Sequence, residues 1–201
     1  MKRNSDKSVF SMLLIDTMRP AVAKEWNRMR KEYHYAGYRL ILLSLSGHEW
    51  KSKVVFQNSV PGKDLSSLLF RVQLNELEPK ELLPYLTRTG CGEFSFPALF
   101  RSDSPERFPP YAWRQLFTLV FSLVKTSVEP TVFLICCRTV HKSVIREALP
   151  FTDRATLFTA SADNMPQSMF AGMKRDATIR KTLIGNPFIK ERSADGKAIL
   201  R

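Results

Sequence analysis

Residues 131–137, TVFLICC, form a continuous apolar run held between Pro130 and Arg138. A strand of that kind has no polar face to turn to water, so it fits where both faces of a sheet are covered, as in parallel sheets flanked by helices. The period then changes. Val140, Val144, Ile145 and Ala148 keep helical spacing, Pro150 stops them, and Ala155 to Ala160 returns to a strand pattern. Residues 131–160 therefore read as a βαβ unit whose two strands are parallel. Just upstream, Trp113, Leu116, Phe117, Val120, Phe121 and Val124 trace one buried helix face.

The first half adds a helix and a hairpin. Asp16 or Thr17 can cap a helix with Pro20 in its first turn, and Val22, Trp26, Met29 and Tyr33 fall on one stripe before Gly37 ends it. Tyr38–Ser46 and Lys51–Asn58 are strand-like and separated by GHEW, a spacing that reads as an antiparallel hairpin with its first strand central in the sheet. Asp64 caps a helix carrying Leu65, Leu68, Leu69 and Val72, Pro79 opens a short helical turn, and a short strand follows near Phe94 to Phe100. The stretch RSDSPERFPP at 101–110 holds three of the 12 prolines and reads as a linker between subdomains 1–100 and 111–201, unless all is one compact domain. Met165, Met169, Phe170 and Met173 mark a last helix, after which a closing turn and a loose basic tail are expected. The fold class expected is α/β (or α+β): a mixed sheet with an N-terminal helix plus hairpin and a C-terminal βαβ-like unit.

With 201 residues, 44% hydrophobic and 25% charged, the chain has ordinary globular composition, which excludes wholesale disorder, collagen and coiled coil. Asp6 and the brevity of the apolar run at 9–15 argue against a secretory leader, and no stretch is long enough to span a bilayer, so no membrane partner is expected. Three cysteines cannot make a disulfide framework, and Cys136 and Cys137 sit inside the apolar run as core residues. A cytoplasmic protein is expected.

Charge is the unusual quantity. The chain carries 31 Lys and Arg against 19 Asp and Glu, net +12, concentrated toward both ends. Lys24, Arg28, Arg30 and Lys31 on the first helix, with Lys174, Arg175, Arg180 and Lys181 near the end, would grip phosphates if the two ends meet. That reading is a nonenzymatic nucleic-acid-binding protein, accessory or regulatory, with DNA favoured over RNA because few aromatics outside the core stripes are free to stack. Tyr35, Tyr38 and Trp50 are the stacking candidates.

Two alternatives stand beside it. One is a protein-interaction subunit or homo-oligomer that docks through Met165, Met169 and Phe170. The other is a metal-dependent nuclease using Glu49 and Lys51, with Asp16 upstream and His48 adjacent. Arg138, Thr139 and His141, at the carboxyl edge of the βαβ unit, form a possible anion site. The sequence has no GxxxxGK[ST], no GxGxxG and no zinc-ligand spacing, so no cofactor, metal or catalytic residue is assigned.

Overall fold

The strand at Thr131–Arg138 is covered on both faces, as its composition requires. Phe133, Ile135 and Cys137 join one apolar cluster, while Val132, Leu134 and Cys136 join another on the opposite side. The computed structural model describes residues 9–15, 20–45, 62–88, 93–99, 103–138, 141–152, 154–159 and 190–193, with side chains described at 26–45, 62–88, 93–99, 103–137 and 141–152.

Seven strands and four α-helices are described: β1 (Val9–Ile15), α1 (Pro20–Tyr35), β2 (Arg39–Ser44), α2 (Leu65–Gln73), β3 (Thr87–Arg88), β4 (Phe94–Ser95), α3 (Pro110–Thr126), β5 (Thr131–Arg138), α4 (Lys142–Ala148), β6 (Arg154–Thr159) and β7 (Lys190–Ser193). Short 3-10 turns cover Pro79–Tyr85, Pro105–Arg107 and Leu149–Phe151. The strands form one sheet in the order β3-β4-β2-β5-β1-β6-β7, parallel throughout except for the β3–β4 pair. The α/β class with a mixed sheet is therefore what the chain adopts.

Where the structure departs from the sequence reading, the reason is long-range pairing. The apolar run at 9–15, set aside above as too short for a leader, is β1, and it has a parallel strand on each side. It separates the two strands of the expected βαβ unit: β5 and β6 are parallel, but each pairs with β1. Strand β2 stands where expected and lies between β5 and β4, parallel to both. Its expected hairpin partner at 51–58 lies outside the described residues, as does the helix expected around Met165 to Met173. Within the supposed tail, Lys190–Ser193 adds a parallel strand to β6.

The helices divide between the two faces. Trp26, Met29 and Tyr33 of α1 pack on Leu40, Leu42, Val132, Leu134 and Cys136. On the other face α2, α3 and α4 cover Ile41, Leu43, Leu45, Phe133, Ile135 and Cys137. Asp64 caps α2 as expected, its Oδ1 accepting the Ser67 N–H at 2.8 Å. Strands from both sides of 101–110 share the one sheet, and within that stretch Pro105 and Phe108 are buried. No helix among the described residues is long and apolar enough to cross a membrane.

Candidate functional site

In an open parallel sheet a ligand crevice forms where neighbouring strands send their connections in opposite directions. Here β1 hands the chain through α1 to β2 on one side, while β5 hands it through α4 to β6 on the other. The helices α1 and α4 lie on opposite faces of the sheet. The carboxyl ends of β1 and β5, where Ile15 is in register with Arg138, are thus the switch point.

The polar groups described around this edge are engaged with one another. His141 stands at the N-cap of α4, makes no side-chain capping bond, and is buried. Its Nδ1 lies 2.5 Å from Glu106 Oε1, which ties the 105–107 turn to the start of α4. Burial pushes the Glu106 carboxyl up, but the His141 bond, its own backbone N–H and the Ser104 hydroxyl together hold it below the ordinary carboxylate range. An ionised Glu106 is an acceptor, so the His141 nitrogen facing it, Nδ1, donates. Asp103 is likewise held low, by the Ser66 hydroxyl first and by Arg107, against the opposing effect of burial. Asp64 takes the Ser67 N–H and hydroxyl. No three His, Cys, Asp or Glu side chains among the described residues come together as a metal-binding group.

Because Glu106 and Asp103 titrate below their ordinary values in the folded chain, the stability they contribute is present above about pH 4 and is lost as pH falls through their folded-state values. Glu106→Gln is therefore expected to lose less stability than the natural chain between about pH 6 and pH 3. Glu106 is half exposed, so the cost at pH 7 is under about 1 kcal/mol. Urea unfolding at the two pH values checks this; parallel acid losses in both chains would contradict it.

Two residues of the expected anion site, Arg138 and His141, are described at the switch point. Arg138 ends β5, Thr139 lies outside the described residues, and His141 is committed to Glu106. Of the expected cationic grip, the described side chains are those of Arg28, Arg30 and Lys31 on α1. Arg30 is held by the buried Glu93 through two contacts, one of them Nε to Oε1 at 3.0 Å, and Arg28 pairs with Glu32 at 2.7 Å. Lys31 is exposed and the Lys24 side chain is not described. Lys174, Arg175, Arg180 and Lys181 lie outside the described residues, as do Asp16, His48, Glu49, Trp50 and Lys51. Of the stacking candidates, Tyr35 is 84% exposed and Tyr38 packs edge-on against Tyr33. Trp26, Trp113 and Phe117 are core residues as expected, and burial pushes the Cys137 thiol far up, so it is no nucleophile.

At the opposite, amino edge of the sheet, a cavity of about 280 Å³ is bounded by Arg39, Ile41, Leu86, Leu123, Val128 and Thr131. Its cation is occupied, lying 4.3 Å from the Phe94 ring centroid and 3.8 Å from Glu129.

No protein-family model matches this sequence, and no curated protein does. Solved structures do share the fold. A ParA family ATPase from Chlorobium tepidum TLS superposes with a TM-score of 0.58 at 11% identity, over 93% of this chain and 73% of that one. Cobyrinic acid a,c-diamide synthase from Mycobacterium smegmatis, with bound ADP and magnesium, gives 0.59 at 15% identity, over 92% and 74%. A plasmid partition protein from Borrelia burgdorferi gives 0.55 at 9%, over 91% and 77%. The chain thus has the doubly wound architecture of ParA-type proteins.

This corrects the nucleic-acid-binding reading, including its preference for DNA. The fold is one found in an ATPase and a synthase, and the α1 arginines expected on phosphates are bonded to carboxylates instead. Sequence reasoning also missed Glu93, Asp103 and Glu106, which organise the cations and His141. The only local signal for Glu106 was its place beside Pro105, which read as a linker.

Proposed function

We propose that this chain uses the ParA-type architecture as a partner-binding protein and does not run a P-loop nucleotide cycle. The β1–α1 connection carries the proposal. A P-loop is an eight-residue GxxxxGK[ST] segment that opens a helix: its glycines let backbone N–H groups wrap the phosphates, its lysine reaches the terminal phosphates and its hydroxyl binds Mg²⁺. Here β1 ends at Ile15 and α1 begins at Pro20, leaving Asp16, Thr17, Met18 and Arg19 between them. No glycine precedes Gly37 in the sequence. The helix opens Pro20-Ala21-Val22-Ala23, without lysine or hydroxyl, and Pro20 has no N–H to offer. These residues do not fit a nucleotide held in the P-loop manner.

Protein partners are what the remaining surface favours. Phe70, Leu74 and Tyr111 are large apolar residues left half-exposed or more, on neighbouring helices. Clustered apolar exposure of this kind marks interaction sites more often than it marks chance.

Thermal unfolding with and without Mg·ATP tests the proposal. A nucleotide present at about 100 times its Kd would add about 2.7 kcal/mol and raise Tm by several degrees. The expected result is no shift with millimolar Mg·ATP or Mg·ADP and the same association state in both. A nucleotide-dependent rise in Tm would overturn the reading.

A further inference from the structure

We infer that the cavity at the amino edge of the sheet is a binding site for a small apolar zwitterion, of which an apolar α-amino acid such as leucine is the simplest example. The inference is independent of the partner-binding reading and of how the carboxyl edge is used.

Three parts of the fold build the cavity. Arg39 and Thr131 begin β2 and β5 in register, the 127–129 connection leaves the end of α3, and the Pro79–Tyr85 turn contributes Leu83. At about 280 Å³ the space lies at the small end of ligand pockets, which suits a molecule the size of one amino acid. Ile41, Leu86 and Leu123 give it an apolar wall. Ile41 is nearly inaccessible and marks the floor, while the exposed Leu83 and Val128 stand at the rim.

Charges of both signs complete the lining. The Arg39 guanidinium rests on the Phe94 ring, a contact that steadies it and supplies no hydrogen-bond acceptor. Glu129 lies 3.8 Å away, an attraction between charges that is too long for a hydrogen bond. Arg39 is thus paired in charge while its N–H donors have no acceptor among the described residues, and the Glu129 carboxylate is in the same position toward donors. With side chains 36% and 69% exposed, both are within reach of a ligand.

The backbone that presents Glu129 is fixed. The Thr131 hydroxyl lies 2.8 Å from the Glu129 carbonyl and 3.0 Å from Ser127 Oγ. Helix α3 also ends here, with Thr126 and Ser127 in the lining, so the negative end of its dipole reinforces the Glu129 side. A simple anion would match Arg39 but meet the Glu129 carboxylate, and a simple amine would match Glu129 but meet Arg39. A zwitterion satisfies both. Its carboxylate accepts from the Arg39 fork, its ammonium donates to Glu129, and its apolar group lies against Ile41, Leu86 and Leu123.

The test follows backbone amide shifts of the full chain as L-leucine is added to millimolar concentration. N-acetyl-L-leucine, which lacks the ammonium, and L-leucinamide, which lacks the carboxylate, are the comparisons. Leucine is expected to give saturable shifts confined to the start of β2 and residues 126–131, and each comparison compound to bind at least about tenfold more weakly. Glu129→Gln should weaken leucine by a similar factor, and Arg39→Met should abolish saturation. The Glu129 side chain is exposed, so Glu129→Gln should match the natural chain in circular dichroism and keeps the test decisive if Arg39→Met fails to fold. No saturable shift with leucine, or shifts centred elsewhere, overturns the assignment. Equal leucine affinity of Glu129→Gln and the natural chain, or N-acetyl-L-leucine bound as tightly as leucine, also overturns it, since the site would then take an anion alone.

Discussion

Glu93→Ala is expected to destabilise the chain by about 3–5 kcal/mol, because it leaves the Arg30 guanidinium desolvated and without its counter-charge. The Glu93 side chain is 5% exposed and that of Arg30 is 11% exposed, so water cannot replace the lost carboxylate without opening the packing of α1 beside β4. The pair joins residues 63 positions apart, and its loss falls on the folded state. Equilibrium unfolding in urea reads the difference. Replacing both partners by apolar residues, Arg30→Met with Glu93→Leu, should recover most of the loss, since the penalty lies in the orphaned charge rather than in the missing attraction. A loss below about 1 kcal/mol for the single variant would mean that the pair is solvated like an ordinary surface bridge.

Trp113→Ala should cost a similar amount, about 3–5 kcal/mol. Trp113 is fully buried, stacks on Phe117 with centroids 6.2 Å apart, meets Phe108 edge-on, and donates from Nε1 to the Pro105 carbonyl at 3.1 Å. Truncation opens a cavity in the helical layer and removes the indole donor from the Pro105 carbonyl, which keeps only the Phe108 N–H. Since Glu106 stands in that turn, its grip on His141 should loosen too, seen as faster amide exchange at the start of α4. Trp113→Phe keeps most of the volume but loses the bond, and should fall between the two. Equal stability of the alanine variant and the natural chain would contradict the placement of Trp113 in the core.

The periodic parts of the sequence were sufficient for the local elements. TVFLICC could only be a doubly covered strand, and Leu65, Leu68, Leu69 and Val72 after Asp64 could only be a capped helix packing one side. What local pattern does not carry is strand adjacency. Nothing in VFSMLLI says that it lies between β5 and β6, because its partners are more than a hundred residues away. The same distance hid the charge pairing. Arg30 reads as a solvent-facing cation from its helix position, and only the fold brings the buried Glu93 to it. Treating 101–110 as a linker had a physical basis in its prolines, yet Phe108 and Pro105 in that stretch had apolar surface to bury, and α3 supplied Trp113 to receive it.

The absence of a P-loop sequence was legible from the outset, but its weight came only from the fold, which places the end of β1 at the switch point. Titration calorimetry of the full chain with Mg·ATP tests that claim most directly. The account predicts no heat beyond dilution at millimolar nucleotide. A saturable isotherm with one site per chain would show that residues 16–19 and their neighbours hold nucleotide after all, and would contradict it.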